Sequence, residues 1–353
     1  MKIGIIGYGG MAGHHHTHII PVFNREGYPE VVEVKGVYDI NPARCEIAAS
    51  RGLVVYDSAE ALLSDEEIKA VLVATPNDWH MPYVVMAAEH GKHVITEKPA
   101  ALSSEETAKM YEAAKKNGVV FTPHQNRRWD EDFLAIKEIV ESGEIGTVYK
   151  IESRVVSSNG IPGAWRKCFK QGGGMMLDWG VHLIDQALLM IDSPVKSVYC
   201  DYSYIAGEDV DDGFDLEIKF ENGVIYRIVV DTNTFIQLPR WRTYGREGTA
   251  EITDWAMNGK IVSVLQRVDD QLEGIRAGNG FTKTMAYRRA ETVQERPIER
   301  VWSDANAFYR NFMDAVLNGA PTTVKENQVM RVFKVMENAY RSAHENRVIE
   351  EVI

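Results

Sequence analysis

The sequence predicts an α/β protein in two parts. A doubly wound parallel sheet comes first, and an α+β half with a large, open, mainly antiparallel sheet follows. Three observations predict this. Short, continuously apolar runs alternate with helical stretches through the first third of the chain, the pattern of strands buried on both faces. The first run ends at once in a glycine-rich turn. After about residue 125 the strands lengthen and alternate apolar with polar residues, the pattern of a sheet with one wet face. At 353 residues the chain is also too long for one core. The expected units are 1–124 and 125–353.

The elements follow in order. "KIGIIGYG" (2–9) is a buried strand running into glycines, and "VVEVKGVYD" (31–39) is the second strand. "PARCEIAASRG" (42–52) reads as a helix. "AVLVATP" (70–76) and "HVITEKP" (93–99) are apolar runs closed by proline. "SSEETAKMYEAAKKNG" (103–118) is a helix with Ser103 or Ser104 as N-cap, acids in its first turn, and lysines and Gly118 at its end. "GVVFTPHQ" (118–125) is the last strand of this half. Next come a helix at 132–146, a strand at 147–158 and a helix at 172–191. Alternating strands follow, among them "DGFDLEIKFENG", "VIYRIVVDTN" and "GTAEITDWAM", with "ENGV" (221–224) as a hairpin turn. Helices return at 303–318 and 325–345, and the polar stretch around 268–295 is the expected mobile loop.

Composition excludes some partners. The formal net charge of -12 argues against nucleic acid and anionic membrane, which both want a basic face. No apolar run approaches the ~20 residues of a membrane span. The chain opens directly into a strand with no signal peptide before it, and three widely spaced cysteines, Cys45, Cys168 and Cys200, suggest reduced thiols. The expected location is cytoplasmic.

Gly7, Gly9 and Ala12 fit the G-x-G-x-x-G/A pattern in its proper context, after a strand and before a helix. The first glycine allows the tight turn, the second lets backbone approach a pyrophosphate, and the small third residue lets helix pack on strand. Gly10 and Met11 open that helix, whose free N–H groups suit phosphates. Asp39 ends the second strand, where a carboxylate binds ribose hydroxyls and repels a 2′-phosphate. NAD is therefore the expected cofactor in preference to NADP. "GHHHTHII" (13–20) places His14 and His18 four apart, a spacing zinc proteins use, but the HExxH glutamate is missing and no metal is expected.

"GGGMMLDWGVHLID" (172–185) places Asp178, His182 and Asp185 on one face of a helix rich in apolar residues. Burying such groups without partners costs about 2–7 kcal/mol each, so they are either paired or used in chemistry.

Taken together, the glycine turn, "ATPNDWH" (74–80), "EKP" (97–99), "QNRRWD" (125–130) and "GGGMMLDWGVHLID" resemble the Gfo/Idh/MocA family in order along essentially the whole chain. Its members are nicotinamide-dependent oxidoreductases acting mostly on sugars, inositols and related polyols. The resemblance implies a Rossmann first domain and a second domain for substrate binding and oligomerisation. It places Thr75, Pro76, Asn77 and His80 along the cofactor, with Glu97 and Lys98 beside the nicotinamide ribose. Several relatives hold the Lys–Pro bond cis, which implies the same for Lys98–Pro99. Asn126 and Arg127 would face cofactor or substrate, and Trp165 and Arg166 would close the cofactor pocket.

The implied chemistry is hydride transfer between nicotinamide and a secondary alcohol. His182 would take the hydroxyl proton, Asp178 would bind a neighbouring hydroxyl and help hold the imidazole, and Lys98 would donate to the reacting oxygen. Asp185 is expected to be structural. Of the aromatic residues Trp165, Trp241, Tyr244 and Trp255, most are expected in core or interface. Competing readings are a keto-sugar reductase, a redox-assisted glycoside-processing enzyme, and a dinucleotide-sensing regulator without turnover. Presence of the whole Lys98, Asp178 and His182 set weighs against the regulator. The open face of the second sheet implies a homodimer or homotetramer.

Overall fold

The computed structural model describes residues 1–265, 275–282, 287–304 and 306–353. The expected loop around 268–295 therefore lies in part outside the described residues.

Six strands form the first sheet: β1 (Lys2–Ile6), β2 (Glu33–Tyr38), β3 (Val54–Val55), β4 (Ile68–Val73), β5 (His93–Thr96) and β6 (Phe121–Pro123). Their order is β3-β2-β1-β4-β5-β6, and every pair is parallel. This is the doubly wound order, in which winding reverses between β1 and β4 and opens a crevice at the strands' carboxyl ends. The buried apolar runs read from the sequence are these central strands, covered on both faces. Helix α1 (Gly10–His14) continues through a π turn over His15–Ile19 into α2 (Ile20–Arg25). Helices α3 (Pro42–Ser50), α4 (Ala59–Leu63), α5 (His80–Glu89) and α6 (Ser104–Lys116) complete the wrapping. Ser103 caps α6 by accepting from the Glu106 N–H at 3.2 Å.

The second half starts with α7 (Glu131–Ser142) and β7 (Val148–Val156). A π turn over Met176–Gly180 leads into α8 (Val181–Met190). Strands β8 (Val195–Ser203), β9 (Gly213–Phe220), β10 (Ile225–Asp231), β11 (Trp241–Gly245), β12 (Gly248–Ile252) and β13 (Gly259–Val264) follow. A small separate hairpin joins β14 (Ile275–Ala277) to β15 (Gly280–Thr282), and β16 (Val293–Pro297) returns to the large sheet. Helices α9 (Ala307–Asn318) and α10 (Glu326–Glu345) and the short β17 (Ile349–Glu350) end the chain. The nine-stranded order is β16-β13-β12-β11-β7-β10-β9-β8-β17, antiparallel throughout except where β7 meets β10.

One face of this sheet packs on α7, α8 and α10, with Ile136, Leu183, Ile184 and Val335 in the shared core. The opposite face is not the bare apolar surface on which the oligomer expectation rested. Cross-strand ion pairs, Arg227 with Asp215 and Arg242 with Glu251, occupy its outward positions. Charged neighbours opposite one another stabilise the pairing and keep that face wettable. Helix α9 crosses back to the first half: Phe308, Tyr309, Phe312 and Met313 join the core of the parallel sheet.

A buried fork ties the halves together. Arg128, just after β6, donates from Nε and Nη2 to Asp185 of α8 at 2.7 and 2.6 Å. Its Nη1 reaches the Thr323 carbonyl and Gln328 Oε1 at the head of α10. The two side chains are 5% and 3% exposed, so removing one partner strands a charge in the interior. Asp185→Ala is expected to lower unfolding free energy by about 3–5 kcal/mol, read by denaturant titration. A loss below about 1 kcal/mol would show that the fork carries no structural weight.

Candidate active site

The crevice is built first from the glycine turn after β1. Gly7 has φ +87°, and a Cβ there would lie 2.8 Å from the Ala74 carbonyl oxygen, so no other residue fits. A Cβ at Gly9 or Gly10 would meet nothing within 4 Å, so this backbone faces open space. Met11 is exposed, while Ala12 is fully buried between helix and strand, as the small third position requires. Asp39 turns toward the same loop: its Oδ2 accepts from the Tyr8 N–H at 2.6 Å and its Oδ1 from the Asn41 N–H at 2.8 Å. The cradle, the open approach and the carboxylate fit a dinucleotide.

At the carboxyl ends of β4 and β5 the predicted residues divide. Thr75 keeps a buried Oγ1 with no protein partner. Pro76 precedes a short turn in which Asn77 is buried. Asn77 does not offer its amide nitrogen to the crevice, because Nδ2 donates to the Gly172 carbonyl in the other half at 2.8 Å. Gly172 is pressed so closely there, at φ +74°, that a Cβ would meet the Asn77 and Leu102 side chains at 2.8 and 2.4 Å. His80 corrects the cofactor-contact expectation. It is fully buried, with its ring nitrogens 2.8 Å from the Pro99 carbonyl and 3.0 Å from the Thr75 carbonyl. It braces the loop behind the crevice, and the Lys98–Pro99 bond in that loop is cis. Glu97 is likewise turned inward. Its Oε1 lies 2.7 Å from His15 Nε2 and 3.0 Å from His124 Nδ1.

Lys98 does face the crevice. Its Nζ donates to both the backbone oxygen and Oδ1 of Asp178, each at 2.9 Å. The Nε of Arg166 lies 3.2 Å from the same Oδ1, and its guanidinium stacks on Trp165 with 4.5 Å to the ring centroid. Asp178 sits inside the π turn that precedes α8, not in a regular helix. Two cations occupy its Oδ1 and His182 Nδ1 has no hydrogen-bond partner among the described residues, which corrects the expected Asp178–imidazole support at that nitrogen. Asn126 opens the short turn 126–129 after β6. Its neighbour Arg127 donates to Asp130 Oδ2 at 2.7 Å and stacks on Trp179, 4.3 Å from the ring centroid.

His182, on the first turn of α8, is 4% exposed, and its Nδ1 is buried without a partner. Burial, then the charges of Lys98 and Arg127, hold its imidazole well below the ordinary histidine range, while Glu97 opposes them. The imidazole is therefore neutral at pH 7. Burial pushes the Asp178 carboxyl up, but Lys98 and Arg166 outweigh it and keep the group ionised. Beside these residues a cavity of about 490 Å³ opens toward β7 and β10, lined by Arg127, Asn159, Met175, Trp179, Asp231 and Trp255. Trp241 is a core residue, whereas Trp255 is exposed at this cavity.

Sequence reasoning missed His15, His124, Trp179 and Tyr309. The signal for His15 was present: it lies three residues beyond Ala12, on the turn facing the strand, whereas His14 and His18 are exposed and stack on each other at 5.0 Å. Tyr309 carries no local signal, since it reaches the site through long-range packing of α9.

Comparison with known proteins identifies both halves of the chain. Residues 1–125 match the model of the oxidoreductase family with an NAD-binding Rossmann fold, and residues 133–251 match the GFO/IDH/MocA C-terminal domain. A crystal structure of an NAD-binding protein from Listeria innocua superposes with TM-score 0.94 at 44% identity, covering 99% of both chains. The scyllo-inositol 2-dehydrogenase (NADP(+)) of Bacillus subtilis is 24% identical over 99% of this chain and 95% of its own. The myo-inositol 2-dehydrogenase of Thermotoga maritima is 28% identical over 64% of this chain and 66% of its own. With an NAD(P)-binding Rossmann domain and the matching second domain in one chain, this protein belongs to the Gfo/Idh/MocA family of oxidoreductases.

Proposed function

We propose that the protein is an NAD-dependent dehydrogenase that oxidises a secondary alcohol of a sugar, inositol or related polyol. The observation that carries this reading is the convergence of Lys98, from the nucleotide half, with Asp178 and His182, from the other half. Hydride transfer at the alcohol carbon is the chemistry a bound nicotinamide supplies. Gly7, Gly9, Gly10, Met11, Ala12, Asp39 and Thr75 would hold it, with Trp165 and Arg166 at its edge.

The chain's own residues do the rest. Lys98 has three ammonium N–H donors, and two are spent on Asp178. The third is free for the reacting oxygen and stabilises negative charge as it develops there. Neutral His182 accepts the hydroxyl proton; burial, with Lys98 and Arg127 beside it, keeps the ring unprotonated, and so in the acceptor form, before reaction. Asp178 orients Lys98 and accepts from an adjacent hydroxyl. Trp179 and Trp255 offer apolar faces to ring C–H groups, and Asn159, Asp231 and Arg127 offer polar partners. The names of the inositol dehydrogenase relatives support this substrate class. Asp39 supports NAD over NADP. Three free cysteines support a reducing, cytoplasmic setting. A homodimer or homotetramer is the assembly we favour.

Three outcomes test this reading in an NAD-reduction screen across inositols, aldoses and uronic acids. Lys98→Ala should reduce kcat about 100-fold or more with a smaller change in NAD affinity. A loss of tenfold or less would demote Lys98 to a binding role. Acidification tests His182: because its folded value lies below 6.5, the ring stays neutral as pH falls through 6.5. Oxidation should then persist there, and an acid limb with a midpoint at or above 7 would rule His182 out as the acceptor. Asp39→Ser should raise the NADP-to-NAD ratio of kcat/KM by about tenfold or more, by removing the charge that repels a 2′-phosphate. An unchanged ratio would move cofactor choice to other residues.

A further inference from the structure

The loop between β8 and β9 has no part in the reaction described above, yet it grips the run of chain that carries Arg166 and Asp178. Three acidic residues of this loop make the contact. Glu208 pairs with Lys167 at 2.9 Å, and Asp209 Oδ1 accepts from the Phe169 N–H at 3.3 Å. Lys167, Glu208 and Asp209 are all open to solvent in some measure, so these two contacts contribute little. Asp211 is different. It is 8% exposed and holds the run where the π turn begins. Its Oδ2 accepts from the Met176 N–H at 2.8 Å, and its backbone oxygen accepts from the Met175 N–H at 3.1 Å. Its Oδ1 faces Gly174, where a Cβ would lie 2.2 Å away. Gly174 is the junction of the run. Its N–H donates to the Arg166 carbonyl at 2.9 Å, and its carbonyl accepts from the Asp178 N–H at 3.1 Å. Asp211 thus meets three consecutive residues whose backbone reaches both Arg166 and Asp178.

The start of a helix explains why an acceptor is needed there. The first N–H groups of a helix have no partner within it, and the residue just ahead normally caps them with a side-chain oxygen. Here that place belongs to Met175, whose side chain makes no capping bond. Asp211 supplies the missing acceptor from 35 residues further along the chain. A negative charge is favourable at such an end. Burial nevertheless pushes the Asp211 carboxyl up to about 7, against the backbone N–H groups that lower it. Its neighbour Asp212 serves the loop instead, accepting from the Ser203 hydroxyl and the Ala206 N–H at 2.7 and 2.5 Å.

Asp178 takes its place from this grip. Lys98 Nζ donates both to the Asp178 backbone oxygen and to Oδ1, so it depends on where the π turn stands as well as on the side chain. Asn77 ties Gly172 of the same run to the nucleotide half at 2.8 Å. The run is therefore held from both sides of the crevice, by Asn77 on one and Asp211 on the other. We propose that Asp211 is a positioning residue: by capping the π turn at Met175 and Met176 from the neighbouring loop, it sets where Asp178 meets Lys98. Its bearing on turnover rests on the dehydrogenase reading, whereas the grip itself does not.

Competitive acetylation of the whole protein, without cofactor or substrate, tests the grip, so its failure is distinct from failure of the dehydrogenase reading. Trace labelling with acetic anhydride, read peptide by peptide by mass spectrometry, reports how often each lysine leaves its partners. Lys92 is the internal control, buried in the nucleotide half on the Asp65 and Ile68 carbonyls, each at 2.9 Å. Asp211→Ala should raise the labelling of Lys98 relative to Lys92 about threefold or more, because the ion pair opens more often. Asp211→Asn keeps a carbonyl oxygen for the Met176 N–H and should return the ratio to within about 1.5-fold of the unaltered protein. Asp211→Ser, one atom shorter, decides the matter if Asp211→Ala does not fold. An unchanged ratio, an equal rise at Lys98 and Lys92, or an asparagine variant that labels like the alanine one would each overturn the proposal. In turnover, Asp211→Ala should lower kcat about tenfold or more while NAD affinity stays within about twofold, and an unaltered kcat would overturn it as well.

Discussion

The contact between the Lys98 ammonium and Asp178 is the interaction around which the rest of the molecule is arranged. It joins the end of a parallel strand to a π turn about eighty residues further on, and it is held at both the backbone and the side chain of Asp178. Neither group could stay charged at such depth alone. Each satisfies the other, and together they hold an ammonium group at the mouth of the crevice. The Asn77 amide on the Gly172 carbonyl and the Arg128 fork on Asp185 hold the same two halves in register around that contact. Three polar ties of different chemistry thus converge on one seam.

Buried charge is managed differently at each depth. The Arg128–Asp185 fork is bidentate and saturated, as a structural pair should be. Asp178 shares its Oδ1 between two cations and leaves capacity on Lys98. Glu97 is the least conventional: no lysine or arginine side chain among the described residues meets it, and His15 and His124 hold its Oε1 from two sides.

Much of this was legible in the sequence, for reasons that are local. Strand order in the first half follows from short apolar runs and the handedness of their connections. Gly7 and Ala12 announce the nucleotide turn because only small residues fit, and Asp39 follows at the end of the next strand. Lys98, Asp178 and His182 were singled out through motifs in order along the chain, and the structure brings Lys98 and Asp178 into contact. What stayed hidden depends on contacts between distant segments. Helical spacing suggested that Asp178 would steady His182, but a π turn and two competing cations redirect it. Nothing local tells that Asn77 and His80 are consumed by backbone carbonyls, or that α9 delivers Tyr309 to His15. A broad open face was expected on the large sheet, but alternation alone does not reveal the ion pairs on it, Arg242 with Glu251 directly opposite and Arg227 with Asp215 two residues offset.

The return of α9 to the parallel sheet has a consequence for biosynthesis. Phe308, Phe312 and Met313 complete a core whose strands are all made before residue 124. A growing chain on the ribosome therefore carries an unfinished nucleotide half while nearly two hundred further residues are translated. Vectorial, domain-by-domain maturation is closed to such a topology. The exposed flank of the early sheet must wait for α9, so the nucleotide half closes only after most of the second half has been made.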